Sequence, residues 1–176
     1  VLYLYRNNPQ WKAAWERYYR SIFRDNYGRI EKVSKDIVQT LSEKGQKQKV
    51  PNYELYVMQE LLSWTQTLDY KRADKHTDSD FTCLPGVLEN VGCDCDSRSL
   101  ILCCFAKTLG IDSLLLISPE YSHAMAGILI DAPGQKYNLP NTNYEYLMGE
   151  TTAKITWGTI AKEHMDRSKW IPVLLY

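Results

Sequence analysis

The chain has no excess of charge of either sign. Its 176 residues carry 21 Lys and Arg against 21 Asp and Glu, so no global positive field draws it onto nucleic acid. It has no apolar run long enough to cross a bilayer, and no membrane contact is expected of this segment itself. It lacks a calcium loop of the Asp-x-Asp-x-Asp-Gly kind, and it has no internal repeat or low-complexity tract. Histidine is scarce, with His76, His123 and His164 alone. Cysteine is odd in number, at five, and four of the five crowd between Cys93 and Cys104. A disulfide framework would spread them along the chain, so the pattern argues against one, although a single Cys83–Cys93 bridge stays open. The chain starts at Val1 without a secretory leader and reads as a fragment or processed form, part of a larger chain.

What is present is enough for one compact domain with a real core. Aromatic residues make up 12% of the chain, mostly tyrosine, which argues against disorder. The organising stretch runs from Gly92 to Ala106. It opens small and acidic, Gly92-Cys93-Asp94-Cys95-Asp96-Ser97-Arg98-Ser99, and turns apolar from Leu100 to Ala106. Asp94 or Asp96 suits the cap of a helix, and Gly110 suits its end. The apolar run has no polar face, so the helix is expected to be buried on every side. Cys95 then lies in or beside the first turn, where unpaired amides and the helix dipole favour thiolate over thiol. Cys103 and Cys104 lie deep in the apolar run and read as packing residues.

Residues 1–80 read as a helical portion, and 81–176 as the core that carries the chemistry. Trp11, Trp15, Tyr18, Tyr19, Ile22 and Phe23 recur at helical steps. Asn26-Tyr27-Gly28 offers a bend, after which Ile30, Val33, Ile37 and Leu41 form a second stripe. The polar run from Ser42 to Lys49 reads as a solvated loop. Pro51 suits the start of a third helix, with Leu55, Met58, Leu61, Leu62 and Thr65 on one face. Tyr70 to Asp80 is polar and reads as an exposed loop, with His76 in it. After Gly110 the pattern changes to strands: Ser113–Ile117, His123–Ile130, Gln135–Asn138, Tyr144–Thr151 and Trp170–Leu175, the last an edge strand because of Pro172. Helices followed by a consecutive antiparallel meander make an α+β domain.

A thiol nucleophile needs a base, and the base needs an orienting acceptor. His164, in Lys162-Glu163-His164-Met165-Asp166-Arg167, reads as a solvated surface residue, like His76. His123 begins an apolar strand just after a turn and is the candidate base. Glu150, an acid among apolar residues in a strand pattern, is the candidate orienting group, because such an acid is costly unless paired. Asp131 is its rival, although it precedes Pro133-Gly134 and fits a turn.

Three blocks, Gly92-Cys93-Asp94-Cys95-Asp96-Ser97-Arg98-Ser99, Ser122-His123-Ala124-Met125-Ala126 and Glu150-Thr151-Thr152, resemble in order and separation the signature of the transglutaminase-like superfamily. The likeness covers about residues 81 to 158 and is loose before that. The chain departs from the pattern by Cys93, inserted between Gly92 and Asp94, and by Glu rather than Asp in the third block. The resemblance implies a papain-like core, a buried helix with the nucleophile at its N-terminus packed on an antiparallel sheet. It makes Cys95 the nucleophile, His123 the base and Glu150 the orienting acid. The Cys95 amide would supply one oxyanion donor, and Gln66 (or Trp64) a second. The implied activity is thiol acyl transfer on a protein or peptide substrate, with hydrolysis favoured over amine transfer by a transglutaminase and no cofactor or metal needed. Likeness to domains on bacterial exported or membrane proteins suggests an extracytoplasmic placement.

Two other classes compete. Cys93, Cys95, Cys103, Cys104 and His123 are all soft ligands, but Cys-x-Cys with a helical Cys-Cys pair is not a zinc spacing. A peptide-binding module that keeps the fold without turnover is the other, and an intact triad argues against it.

Overall fold

The computed structural model describes residues 10–72 and 81–176. The polar loop therefore falls partly, and His76 wholly, outside the described residues. The first helix, α1 (Trp11–Lys47), is continuous for 37 residues, and the bend expected at Asn26-Tyr27-Gly28 is absent. Gly28 faces open space, so it weakens the helix by about 1 kcal/mol relative to alanine without redirecting it. The buried face runs through Tyr19, Phe23, Asn26, Ile30, Ser34 and Val38. Val33, expected on that face, is exposed. Asn26 is a core residue rather than a bend residue. Its Nδ2 donates to Ile22 O, and its Oδ1 accepts from the amide of Leu84, each at 2.9 Å. The run from Ser42 to Lys47, expected as loop, is the last part of α1. There Lys44 ties the helix to Glu60 at 2.8 Å.

Helix α2 (Tyr53–Thr65) is capped by Asn52, whose side chain accepts from the Leu55 amide, and it buries Val57, Met58, Leu61, Leu62 and Thr65. The short α3 (Leu84–Leu88) has proline in its first turn, where the missing N–H costs nothing. Helix α4 (Cys95–Leu109) begins at the N-cap Asp94 and ends at Gly110 in the left-handed conformation, φ 79°. Leu100 to Ala106 are completely buried, because α1 and α2 pack on one side of α4 and the sheet on the other, in a single apolar cluster.

The five strands are β1 (Ser113–Ser118), β2 (His123–Ile128), β3 (Lys136–Asn138), β4 (Glu145–Gly149) and β5 (Ile171–Leu174). All pairings are antiparallel, in the order β3-β4-β2-β1-β5. This is an α+β fold, but the sheet is not a consecutive meander: β4 lies between β2 and β3, and β5 returns to the far edge beside β1. That edge position lets Pro172 sit in a strand, paired opposite Leu116.

Both sheet faces are covered, which explains strands without a polar side. Leu115, Ile117, Ala124, Ala126, Leu147 and Val173 join the helical cluster. Leu114, Leu116, Met125, Tyr146 and Met148 face the other way, under Ile160 and Trp170. The segment after β4 closes this second face with two short 3-10 turns, Lys162–His164 and Arg167–Lys169. All five cysteines are free thiols, including the Cys83–Cys93 pair considered above. Among the described residues, no helix is long and apolar enough to cross a membrane.

Candidate active site

Cys95 is the first residue of α4, held there by its neighbour. The Asp94 side chain accepts from the Ser97 amide at 3.0 Å and from the Ser97 hydroxyl at 2.7 Å. The amides of a first helical turn have no partner within the helix, so the Cys95 N–H is a donor at the sulfur's own residue. Cys95 is 4% exposed, and its thiol donates to Asp96 Oδ1 at 3.6 Å. Asp96 is itself tied to α1, its Oδ2 accepting from the Tyr19 hydroxyl. The backbone amide of Ala124, the residue after His123, interacts with the sulfur and favours its thiolate. Tyr70, half exposed, brings its hydroxyl beside the same sulfur, and burial with the Cys95 charge pushes that phenol up to about 12.

The electrostatics of Cys95 run against the thiolate expected from the helix dipole. Burial, then the Asp96 and Asp94 carboxylates, push its pKa well above that of a free thiol, and the Ala124 amide offsets only part of this. Two acids within one residue of the sulfur outweigh the partial positive charge of a helix end. The resting group at neutral pH is the thiol.

His123 is the first residue of β2 and follows Ser122, whose φ of 49° lies in the left-handed region. This is an uncommon conformation for a non-glycine residue, and it turns the chain sharply into the strand. His123 Nε2 lies 2.8 Å from Glu150 Oε2. Glu150 sits one residue past β4 rather than inside it. Its other oxygen, Oε1, accepts from the Thr152 amide at 2.8 Å and the Thr152 hydroxyl at 2.7 Å. Burial pushes the Glu150 carboxyl up, but the His123 bond and charge and the two Thr152 bonds outweigh it and bring it to about 2. The acid is therefore a carboxylate under all ordinary conditions. Asp131 is not its rival: its side chain is fully exposed and pairs with Lys136 at 3.1 Å.

The loop carrying Glu150 is tied down from two helices. Both hydrogens of Gln66 Nε2 go to backbone carbonyls, of Glu150 at 2.9 Å and of Ile155 at 2.8 Å. Gln66 thus has no hydrogen left for an oxyanion, and its expected role is corrected to holding the acid's backbone. Arg98, on α4, donates to the carbonyls of Thr151 and Leu68. Trp157 lies so close over Gly149 that a Cβ there would sit 2.3 Å from its ring, and its Nε1 donates to Met58 O at 2.8 Å. Trp64, the alternative oxyanion donor, instead packs edge-on against Phe105 in the core.

The structure adds one residue to the site. His164, expected in solvent, stacks on His123 with ring centroids 5.0 Å apart, and its Nδ1 lies 3.7 Å from Glu150 Oε2. Trp170 packs edge-on against both imidazoles. The local sequence of His164 is mostly charged, and its 3-10 turn, held to Trp170, sets it against His123 and Glu150. No family model, curated protein or solved structure matches this chain.

Proposed function

We propose that the chain carries a papain-like, transglutaminase-like core and is a thiol-dependent acyl-transfer enzyme that hydrolyses peptide or amide bonds. The observation that carries the reading is the 2.8 Å His123–Glu150 bond beside a helix-terminal thiol that meets the amide of Ala124. A carboxylate accepting from Nε2–H fixes the tautomer in which the Nδ1 lone pair is free, and Nδ1 is the atom that would face Cys95. As Sγ attacks the substrate carbonyl carbon, Nδ1 takes the thiol proton, and Glu150 stabilises the imidazolium. The oxyanion forms at the Cys95 amide. The C–N bond breaks, and the amine leaves with the proton from Nδ1. Water then attacks the thioester with Nδ1 as base, the acid departs, and the thiol is restored. Because the thiol rests protonated, His123 acts as a general base in the attack rather than as one half of a resting ion pair.

The test is the rate of iodoacetamide alkylation, resolved by mass spectrometry, alongside hydrolysis of a fluorescent peptide library. Exposed Cys83 serves as an internal reference thiol. His123→Ala should abolish hydrolysis and slow alkylation of Cys95 near neutral pH by about tenfold, leaving Cys83 unchanged. Equal alkylation of Cys95 in both proteins, with no hydrolysis in either, refutes the enzyme and leaves a peptide-binding module. Incorporation of a primary amine into glutamine peptides in place of hydrolysis assigns the transglutaminase branch.

A further inference from the structure

The triad leaves His164 without a task, and its Nδ1 is buried with no hydrogen-bond partner. At 3.7 Å from Glu150 Oε2 it is too far for a hydrogen bond, and a buried nitrogen so placed calls for an explanation. We infer that His123 Nε2, Glu150 Oε2 and His164 Nδ1 form a zinc site, and that zinc bound there shuts off the reaction at Cys95. The inhibition rests on the proposed acyl transfer, whereas the binding does not.

The three donor atoms lie within 4.8 Å of one another. Tetrahedral zinc with nitrogen and oxygen ligands at about 2.0–2.2 Å holds its donors roughly 3.3 Å apart. The two His–Glu separations, 2.8 and 3.7 Å, fall on either side of that spacing, so small side-chain shifts admit the ion. Two imidazoles and one carboxylate are a donor set suited to zinc and leave a fourth position open. The supporting bonds are in place: Thr152 holds Glu150 Oε1, so that Oε2, bonded to His123 Nε2 in the metal-free protein, is the oxygen that the metal takes over, while Trp170 Nε1 holds the His164 carbonyl at 2.9 Å. A second cluster, Asp94, Cys95 and Asp96, has comparable spacing. Its oxygens, however, already accept from Ser97, Tyr19 and the Cys95 thiol.

The chemistry of inhibition follows from the tautomer. Zinc takes the Nε2 lone pair of a neutral imidazole, so the ring proton must move to Nδ1. That nitrogen then has no lone pair with which to take the Cys95 proton, and Glu150 no longer accepts from Nε2–H.

Calorimetric titration of the metal-free protein with zinc chloride tests the site. One ion should bind, about tenfold or more weakly in His164→Ala and unchanged in Cys95→Ser. Cobalt bound to the unaltered protein gives a readout free of any folding defect: the site shows ligand-field bands without a thiolate charge-transfer band. Zinc should also slow Cys95 alkylation in the wild type, with about tenfold more needed in His164→Ala. No binding, or binding that survives His164→Ala and is lost in Cys95→Ser with a thiolate band, overturns the inference. If Cys95 proves catalytically inert, the calorimetry and the cobalt spectrum still decide the site.

Discussion

Replacing Asp96 by asparagine should make Cys95 more reactive, the opposite of what loss of a conventional supporting residue does. The Asp96 Oδ1 lies 3.6 Å from the sulfur, and its charge is, after burial, the largest force holding the thiol protonated. Two like charges at that range repel by about 4 kcal/mol at an effective dielectric constant of about 20, a ceiling of about three pKa units. Asp96 is partly exposed, and Asp94 and the burial remain in the variant, so a fall of about one to two units is expected. The thiolate fraction then rises about 10- to 100-fold, while the lower basicity removes roughly half of that gain on a logarithmic scale. Alkylation at neutral pH should therefore quicken by about 3- to 10-fold. The assay is the pH profile of iodoacetamide labelling from about pH 6 to about pH 10, with Cys83 as reference. Asparagine keeps a carbonyl oxygen for the Tyr19 hydroxyl, so the α1–α4 tie persists and the melting temperature should hold. A Cys95 rate that, relative to Cys83, is unchanged or slower in the variant across this range refutes the account of this thiol.

Two further outcomes are expected. Glu150→Gln should lose acid-dependent stability. The folded carboxyl lies near 2 against an ordinary 4.5, so its contribution is present above about pH 4.5 and lost as pH falls towards 2, with about 3 kcal/mol as a ceiling. The gap in melting temperature between wild type and variant should thus be widest above about pH 5 and close towards pH 2; a gap independent of pH contradicts the pairing. Gln66→Leu leaves the carbonyls of Glu150 and Ile155 without their donor, which should cost about 2 kcal/mol in denaturant unfolding and lower turnover with it. Turnover lost at unchanged stability would return Gln66 to the oxyanion.

The strongest patterns in the sequence were those with a local cause. Asp94 and Gly110 bracket α4 because a cap and a left-handed stop are properties of single residues. The apolar runs at Ser113, His123 and Glu145 were legible as strands for the same reason. What the sequence hid was set by tertiary packing. Gly28 looks like a break, but Phe23, Asn26 and Ile30 keep one face of α1 in register across it. Gln66 looks like a free donor near a helix end, and its partners are carbonyls 84 and 89 residues away. His164 looks solvated because its neighbours are charged, and its partners come from two distant elements. The Cys95 thiol differs from expectation for another reason: Asp94 or Asp96 suits a helix cap, but both carboxylates also bear on the sulfur and hold its proton.

All three members of the proposed triad lie at ends of elements, where a chain is least restrained. Cys95 opens α4, His123 opens β2, and Glu150 follows β4. Two side-chain ties act on that weakness. Arg98 is one turn beyond Cys95 on the same helix, and it grips the carbonyl of Thr151, next to Glu150. Gln66, at the end of α2, grips Glu150 itself. The helix that carries the sulfur therefore also holds the loop that carries the acid, and the acid orients His123. The buried Arg98 guanidinium and Gln66 thus join α4 and α2 to the loop of the acid, beside the pairing of the sheet. For the proposed chemistry, this tie would couple the position of Cys95 to that of the loop carrying Glu150.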